Sequence, residues 1–264
     1  MKLFFASFFL SVVIAFPGIQ ANGQSAKVYY CPPCGSGCDT TAYNASGNCP
    51  HCGMGLLAGK AEDIKQRKAT KKTKVLFYLQ NGVEVLDFAG PMEVFSYAGF
   101  EVFTVSKTKD PIISQGILKI LPEYSIEDAP AANIIAFFGG NSGNAANDSN
   151  VIKWLKKLPE PDYYFSVCTG AFVLGKAGLL DGLTITTFHE SIDNLQEAVP
   201  SAKVVRNVRF VDNGNIITTA GISAGIDGAL HLIAKLGGDA AAKEIAHYME
   251  YDKWVPEEGL IIKK

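Results

Sequence analysis

Short apolar runs alternate with amphipathic segments along most of the chain. Runs rich in β-branched and aromatic residues predict strands at residues 75–79, 101–106, 134–138, 163–167, 183–187, 203–211 and 216–219. Apolar residues at helical spacing predict helices at residues 87–98, 151–158, 169–179, 191–198, 223–236 and 240–251. This alternation predicts an α/β fold with a mainly parallel sheet sandwiched by helices. The active crevice of such a sheet lies at the carboxyl ends of its strands.

The stretch 163–175 has the layout of a nucleophile elbow. Apolar residues lead into Cys168, Thr169 and Gly170 follow at once, and a small, apolar segment then predicts a helix. Ser166-x-Cys168-x-Gly170 has the spacing of the Gly-x-Ser-x-Gly elbow, in which the neighbours two positions away must be small. The helix would point backbone N–H groups at the sulfur, which favours the thiolate. The alternative is a cysteine that is buried only for packing.

The first 21 residues are predicted to form a secretory signal peptide. A lysine precedes the apolar run 3–16, Pro17 and Gly18 end it, and Ala21 provides a small residue at the cleavage point. The run is short for a membrane span, although an uncleaved anchor is the alternative. We therefore expect a periplasmic or secreted protein with no stable membrane span after cleavage.

Cysteines are concentrated in residues 28–59. Two C-x-x-C pairs have the spacing of a zinc ribbon: Cys31, Cys34, Cys49 and Cys52. Four thiolates complete a tetrahedral site, so we expect a small cysteine-rich ribbon that binds zinc or another soft metal. Disulfide pairing after export, with Cys38 left over, is the alternative. Cys168 stands alone, far from this segment.

A basic, polar linker at residues 60–73 is predicted to join the ribbon to a large domain, residues 74–264. The chain of 264 residues is 48% hydrophobic and 19% charged, which suits one large domain with a small one attached. Its net charge of −2 gives no reason to expect nucleic-acid binding.

Several motifs of the large domain together resemble one superfamily. They are Leu86-Asp87-Phe-Ala-Gly90-Pro91-Met-Glu93-Val-Phe95, Phe138-Gly139-Gly140, Ser166-Val-Cys168-Thr169-Gly170, Gly178-Leu-Leu-Asp-Gly182 and Ala220-Gly-Ile-Ser-Ala-Gly225-Ile-Asp227. Through them, residues 74–264 resemble the ThiJ/PfpI superfamily of the class I glutamine-amidotransferase-like fold. Cys-Thr-Gly at the elbow is similar to the isonitrile-hydratase-like branch and to the amidase-like domains of AraC-type regulators. The resemblance implies a flavodoxin-like (Rossmann-like) sheet and a homodimer.

The resemblance also implies roles for individual residues. Cys168 would be the nucleophile, and Asp87 the acid that faces it and passes a proton, although Asp87 also suits a helix N-cap. The backbone amides of Gly140 and Thr169 would form an oxyanion hole. Further residues would line the substrate pocket: Gly139, His189 and Glu93. No cofactor is implied for this domain, whereas the ribbon is similar to small heavy-metal-binding modules.

These features predict a cysteine-dependent hydratase or hydrolase that acts on a small carbon–nitrogen or carbonyl substrate. Thr169 replaces the histidine of the protease-like branch. Its hydroxyl can hydrogen-bond a reacting atom but cannot deprotonate a thiol near neutral pH, which argues against a peptidase. The alternative is a ligand-binding module that senses redox state or metal through the same cysteine without turnover.

Overall fold

The computed structural model describes residues 27–31, 38, 41–60 and 73–263. The predicted signal peptide, residues 1–21, and most of the predicted linker lie outside these ranges. Within them, no helix is both long and apolar enough to cross a membrane. They form a small antiparallel sheet near the N-terminus and a larger α/β unit.

Three short strands make up the small sheet: β1 (Lys27–Tyr30), β2 (Ala42–Tyr43) and β3 (Leu57–Lys60). The strands that follow are β4 (Lys74–Tyr78), β5 (Glu101–Ser106), β6 (Ile112–Ser114), β7 (Leu118–Ile120), β8 (Tyr124–Ser125), β9 (Ile134–Phe137), β10 (Tyr163–Val167), β11 (Thr184–Ile185), β12 (Lys203–Val204), β13 (Phe210–Asp212), β14 (Ile216–Thr219) and β15 (Gly259–Ile261). Eight of them form the main sheet in the order β15-β13-β14-β10-β9-β4-β5-β8. All neighbours in it are parallel except β13 and β14, so the predicted mainly parallel sheet is confirmed.

Helices cover both faces of the main sheet. They are α1 (Val85–Tyr97), α2 (Gly143–Ala146), α3 (Ser149–Lys157), α4 (Ala171–Lys176), α5 (Ile192–Ala198), α6 (Ala224–Gly237) and α7 (Asp239–Tyr248). Val75 and Phe77 of β4 are buried with side chains of α1, α6 and α7, whereas Leu76 and Tyr78 are buried with those of α3, α4 and α5. Successive side chains of a strand point to opposite faces, so an unbroken apolar run buries both faces of the sheet.

The prediction of one strand over residues 203–211 is wrong. β12 ends at Val204, and β13 begins at Phe210. Asn207 lies between them with a left-handed φ of 59°, which interrupts the extended chain. The β6–β7 hairpin has no counterpart among the predicted strands; its turn contains Gln115 and Gly116, which both have a positive φ.

Candidate functional site

Cys168 lies at the sharp turn between β10 and α4. Its φ of 58° is left-handed, which is a strained conformation for a residue with a side chain. The Cys168 N–H donates to Ala220 O at 3.2 Å, and the Thr187 hydroxyl donates to Cys168 O at 2.6 Å. A Cβ at Gly170 would lie 2.3 Å from Phe137 O, so only glycine fits there. These contacts hold the elbow at the carboxyl end of β10.

Asp87 faces this cysteine from the first turn of α1. It is fully buried, and its carboxylate oxygens accept hydrogen bonds from Gly139 N at 2.7 Å and from Ile222 N at 3.0 Å. The Cys168 sulfur lies close by, since both it and Asp87 Oδ2 border the same side of Gly139, and each group shifts the pKa of the other. Glu84 occupies the N-cap position of α1, so Asp87 is not the helix cap. The carboxyl end of the sheet therefore holds a buried acid next to a buried thiol.

Burial controls the protonation of both groups. It raises the pKa of Asp87 to about 7, although the Gly139 and Ile222 amides favour the carboxylate. Burial and then the negative charge of Asp87 raise the pKa of the Cys168 thiol to about 12, and the hydrogen bond from Thr169 N–H to the sulfur does not offset them. The resting form is therefore the thiol and not the thiolate that the elbow pattern favours.

Gly139 leaves room for the pair. A Cβ at this position would lie 2.7 Å from Asp87 Oδ2 and 2.7 Å from Cys168 Sγ, closer than van der Waals contact allows. The Gln80 side-chain amide donates to Phe138 O and to Gly139 O, each at 3.0 Å, and so fixes this turn after β9. The carboxyl group and the sulfur can meet only because this residue has no side chain.

Gly140 is needed for a different reason, the conformation of the turn. It has a φ of 82°, and a Cβ would lie 2.3 Å from Gly82 O. Gly140 forms a β-bridge with Val83, but the two hydrogen bonds that close this bridge do not use the Gly140 N–H. The Thr169 hydroxyl lies 3.5 Å from Gly140 O. The two residues predicted to form the oxyanion hole therefore belong to adjacent turns.

Two of the predicted pocket residues lie on the surface. The His189 side chain is 78% exposed, and its ring centroid is 4.4 Å from that of Phe188. Phe188 itself packs against Gly221, where a Cβ would lie 2.4 Å from the ring. Glu93 is exposed, and its charge helps to raise the pKa of Tyr97 after burial. Both predicted pocket side chains therefore face solvent instead of the buried pair.

Three further residues contribute to the site, and the sequence alone did not indicate a role for any of them. Ile222 bonds Asp87 from 135 positions away, and no local spacing could indicate such a contact. Thr187 holds the elbow carbonyl. The charge of Glu84 raises the pKa of both Asp87 and Cys168. The motif around Ile222 does belong to the resemblance, which gives the only signal that could have found it.

Comparison with known proteins identifies the family of this fold. The model of the DJ-1/PfpI family matches residues 73–235. The chain belongs to the DJ-1/PfpI family. It is 34% identical over 181 residues to the isonitrile hydratase of Pseudomonas putida, an alignment that covers 66% of this chain and 77% of that protein. It is 28% identical to the HTH-type transcriptional regulator CdhR of Pseudomonas aeruginosa, over 64% of this chain and 52% of the regulator.

Solved structures of DJ-1/PfpI proteins share the fold. A THiJ/PfpI family protein from Pseudomonas syringae has a TM-score of 0.67 and 28% identity, over 78% of this chain and 85% of that chain. Drosophila melanogaster DJ-1beta has a TM-score of 0.60 and 21% identity, over 68% of this chain and 98% of that chain, and it supports the fold alone. The family match begins at residue 73, so the small N-terminal sheet lies outside it.

Four cysteine sulfurs meet in this N-terminal segment. The Sγ atoms of one group all lie within 4.8 Å of one another: Cys31, Cys38, Cys49 and Cys52. The Cys31 and Cys52 sulfurs are 3.2 Å apart, and those of Cys31 and Cys38 are 3.8 Å apart. Metal–sulfur bonds of ~2.3 Å place the sulfurs of a tetrahedral site about 3.8 Å apart, whereas a disulfide needs ~2.05 Å. The donor set therefore fits a soft metal ion.

Among the described residues, the cluster contains three of the predicted ligands: Cys31, Cys49 and Cys52. Cys38, which the spacing leaves over, is buried inside the cluster, and the predicted ligand Cys34 lies outside the described residues. Burial alone would raise the pKa of the Cys49 thiol. Hydrogen bonds from the Tyr43 hydroxyl and from the backbone of Cys52 and its neighbour outweigh burial and lower that pKa to about 6. Cys49 is therefore predisposed to ligate as a thiolate.

Alkylation of Cys168 should report the coupled titration of the pair. We expect the rate with iodoacetamide, followed at the Cys168 peptide by mass spectrometry, to rise with pH and level off near pH 7. Below the pKa of Asp87, the carboxyl group is protonated, and the thiolate fraction of Cys168 rises with pH. Above that pKa, Asp87 is ionised and its negative charge opposes loss of the thiol proton, so the thiolate fraction and the alkylation rate stop rising. Asp87→Asn should remove this break and raise the rate at pH 8 about tenfold, because only about a tenth of Asp87 is protonated there. Identical profiles for the two proteins would contradict the coupling.

Proposed function

We propose that this protein is a cysteine-dependent hydratase that acts on an isonitrile or a similarly small, uncharged carbon–nitrogen substrate. The observation that carries the proposal is the buried Cys168–Asp87 pair beside Gly139, in which burial raises the pKa of the acid to about 7. A general acid–base group works best when its pKa lies near the working pH. The 34% identity to isonitrile hydratase supports the substrate class.

The pair can hydrate an isonitrile in two balanced steps. First, the Cys168 sulfur bonds to the terminal carbon, while Asp87 takes the thiol proton and delivers it to the same carbon, which gives a thioimidate. Water then adds to this carbon, and the carbon–sulfur bond breaks. One water proton goes to the nitrogen, and the other returns through Asp87 to the sulfur. The product is an N-substituted formamide, and the thiol is restored.

The surrounding groups favour an uncharged substrate. The Thr169 N–H already points at the sulfur, and the Gly140 N–H lies in the adjacent turn, so these amides would bind the oxygen of the water adduct. The carboxyl groups of Asp87 and Glu84 act on the thiol with negative charge. A carboxylate or phosphate substrate would be repelled by both of them.

A substrate panel with labelled water tests the proposed reaction. Purified protein should convert a small alkyl isonitrile to its formamide, with the oxygen taken from H₂¹⁸O, and should leave matched nitriles, amides and dicarbonyls unchanged. Turnover of one of those substrates instead would overturn the isonitrile class. If nothing in the panel reacts while peroxide selectively oxidises Cys168 to the sulfinate, the sensing alternative replaces the enzyme.

We also propose that the N-terminal cluster binds one Zn²⁺ ion through four thiolates. Tetrahedral sulfur coordination is typical of structural zinc sites, and the sulfur separations support it. The segment buries few apolar side chains besides its cysteines, so a metal would supply much of its folding free energy. The ion has no part in the hydration steps above.

Zinc content separates Cys38 from Cys34 as the fourth ligand. Protein purified without chelator should contain about one zinc per chain, and Cys38→Ser should lower this to a small fraction because it removes a thiolate from the cluster. Cys34→Ser is the matched control and should keep the zinc. Full zinc in the Cys38 variant together with loss in the Cys34 variant would restore the ligand set that the spacing predicts.

A further inference from the structure

The amide that bonds Asp87 Oδ1 comes from a strained loop, residues 220–223, between β14 and α6. Ile222 has a φ of 57°, which is a marked outlier for a β-branched residue. Its N–H reaches Asp87 Oδ1 at 3.0 Å. Such a conformation persists only when the surrounding structure holds it in place. Neighbouring residues must therefore hold this loop in place.

Arg209 holds the loop at both ends. Its carbonyl oxygen accepts a hydrogen bond from Ala220 N at 2.9 Å, and its guanidinium donates to the Ser223 hydroxyl at 3.0 Å. Ala220 also links the loop to the elbow, because its carbonyl accepts from Cys168 N. The strained Ile222 amide lies between the two points that Arg209 holds.

The guanidinium of Arg209 is itself fixed by a buried carboxylate. Asp227 of α6 is 2% exposed and accepts from Arg209 Nε at 2.8 Å and from Nη2 of the same side chain. The Tyr251 hydroxyl donates to the other Asp227 oxygen at 3.0 Å. A forked donor on one carboxylate restricts the arginine to one orientation, which a lysine could not reproduce.

We propose that Arg209 is a positioning residue for the Cys168–Asp87 pair: by holding both ends of the loop 220–223, it keeps the Ile222 N–H on Asp87. The proposal rests on the proposed function of that pair. Arg209 touches neither the thiol nor the carboxyl group and acts through the loop backbone. If the amide moves away, Asp87 loses one of the two backbone donors that favour its ionised form, and its pKa rises.

The pH profile of Cys168 alkylation tests this proposal without requiring turnover. Ser223→Ala removes the hydrogen bond to the loop with little other change, and Arg209→Lys also removes the fork on Asp227. Both variants should move the break near pH 7 upwards by about half to one unit, and so raise the rate at pH 9 about three- to tenfold. The rate at pH 5.5 should stay that of wild type, whereas unfolding would expose the thiol and raise the rate at every pH.

Two control variants separate positioning from stability. Tyr251→Phe removes a hydrogen bond to Asp227 but none to the loop, so it should lower Tm and leave the break in place. Arg206→Lys changes an exposed arginine that pairs with Asp193 and should alter neither. Two titratable groups act on Asp87, namely Glu84 and Cys168. Both are unchanged in every variant. A break that stays in place in both test variants overturns the positioning role; a wild-type profile with no break overturns the pair itself.

Discussion

Replacing Cys168 with serine should lower the rate of isonitrile hydration by at least a factor of about 10³. A serine hydroxyl is a far weaker acid than a thiol, and Asp87, with a pKa of about 7, is too weak a base to remove its proton. The hydroxyl is smaller than the thiol, and the backbone bonds to Ala220 and from Thr187 remain. The loss should therefore appear in kcat while Tm changes little.

The controls for this variant test both the fold and the assignment of the nucleophile. Cys168→Ala should lose the same activity and keep the metal content of the wild-type protein, whatever that is, since the N-terminal cysteine cluster does not include this residue. A serine variant that keeps more than about a tenth of the wild-type rate would mean that the sulfur does not bond to the substrate carbon. The reaction would then be acid–base hydration by Asp87 alone.

Local patterns in the sequence were enough to predict the main sheet and the elbow. Apolar runs such as residues 75–79 and 134–138 are long, rich in β-branched and aromatic residues, and buried on both faces, so their strand assignment depended on few assumptions. The Ser166-x-Cys168-x-Gly170 spacing encodes a steric requirement, and the structure meets it at Gly170. The predictions failed for small elements. Asn207 interrupts one predicted strand, and the strands of the β6–β7 hairpin are too short to show a hydrophobic pattern.

The protonation of the site could not be predicted from local sequence. The elbow places Thr169 N–H at the sulfur, which favours the thiolate, but burial and two carboxyl groups outweigh one amide. One of those groups, Asp87, depends in turn on Ile222, from a distant part of the chain. Such a pKa depends on burial, charges and hydrogen bonds contributed by several elements of the fold. The spacing of residues in the sequence predicts only which side chains are neighbours along one element.

The N-terminal cysteine cluster illustrates the same limit on a smaller scale. The spacing of the C-x-x-C pairs predicted Cys31, Cys49 and Cys52, which the described cluster contains, but it gave no sign that Cys38 joins them. A ligand's position is set by how β1, β2 and β3 bring their loops together, and this three-dimensional constraint has no fixed spacing. That Cys49 and Cys52 lie close together could be predicted, because both belong to one tight turn.

Gly139→Ala should lower turnover at least about a hundredfold, since it separates the acid from the thiol. The added methyl would lie 2.7 Å from Asp87 Oδ2 and 2.7 Å from Cys168 Sγ, so at least one of these groups must move. The φ of Gly139 is not positive, so the expected effect comes from the added methyl and not from a left-handed backbone. Overpacking of this kind lowers the free energy of unfolding by about 1–3 kcal/mol. The displacement of Asp87 or Cys168 should in addition lower kcat.

Gly143→Ala is the matched control, because it adds the same methyl a few residues away. Its nearest neighbour would be Asn147 Nδ2 at 3.5 Å, an ordinary contact, and the site begins helix α2, where alanine is favoured over glycine. This variant should keep its turnover and its Tm. Comparing kcat and the alkylation profile of the two variants isolates the space between Asp87 and Cys168. Wild-type turnover in the Gly139 variant would show that the two groups need not be in contact, and the proton transfer through Asp87 would have to be abandoned.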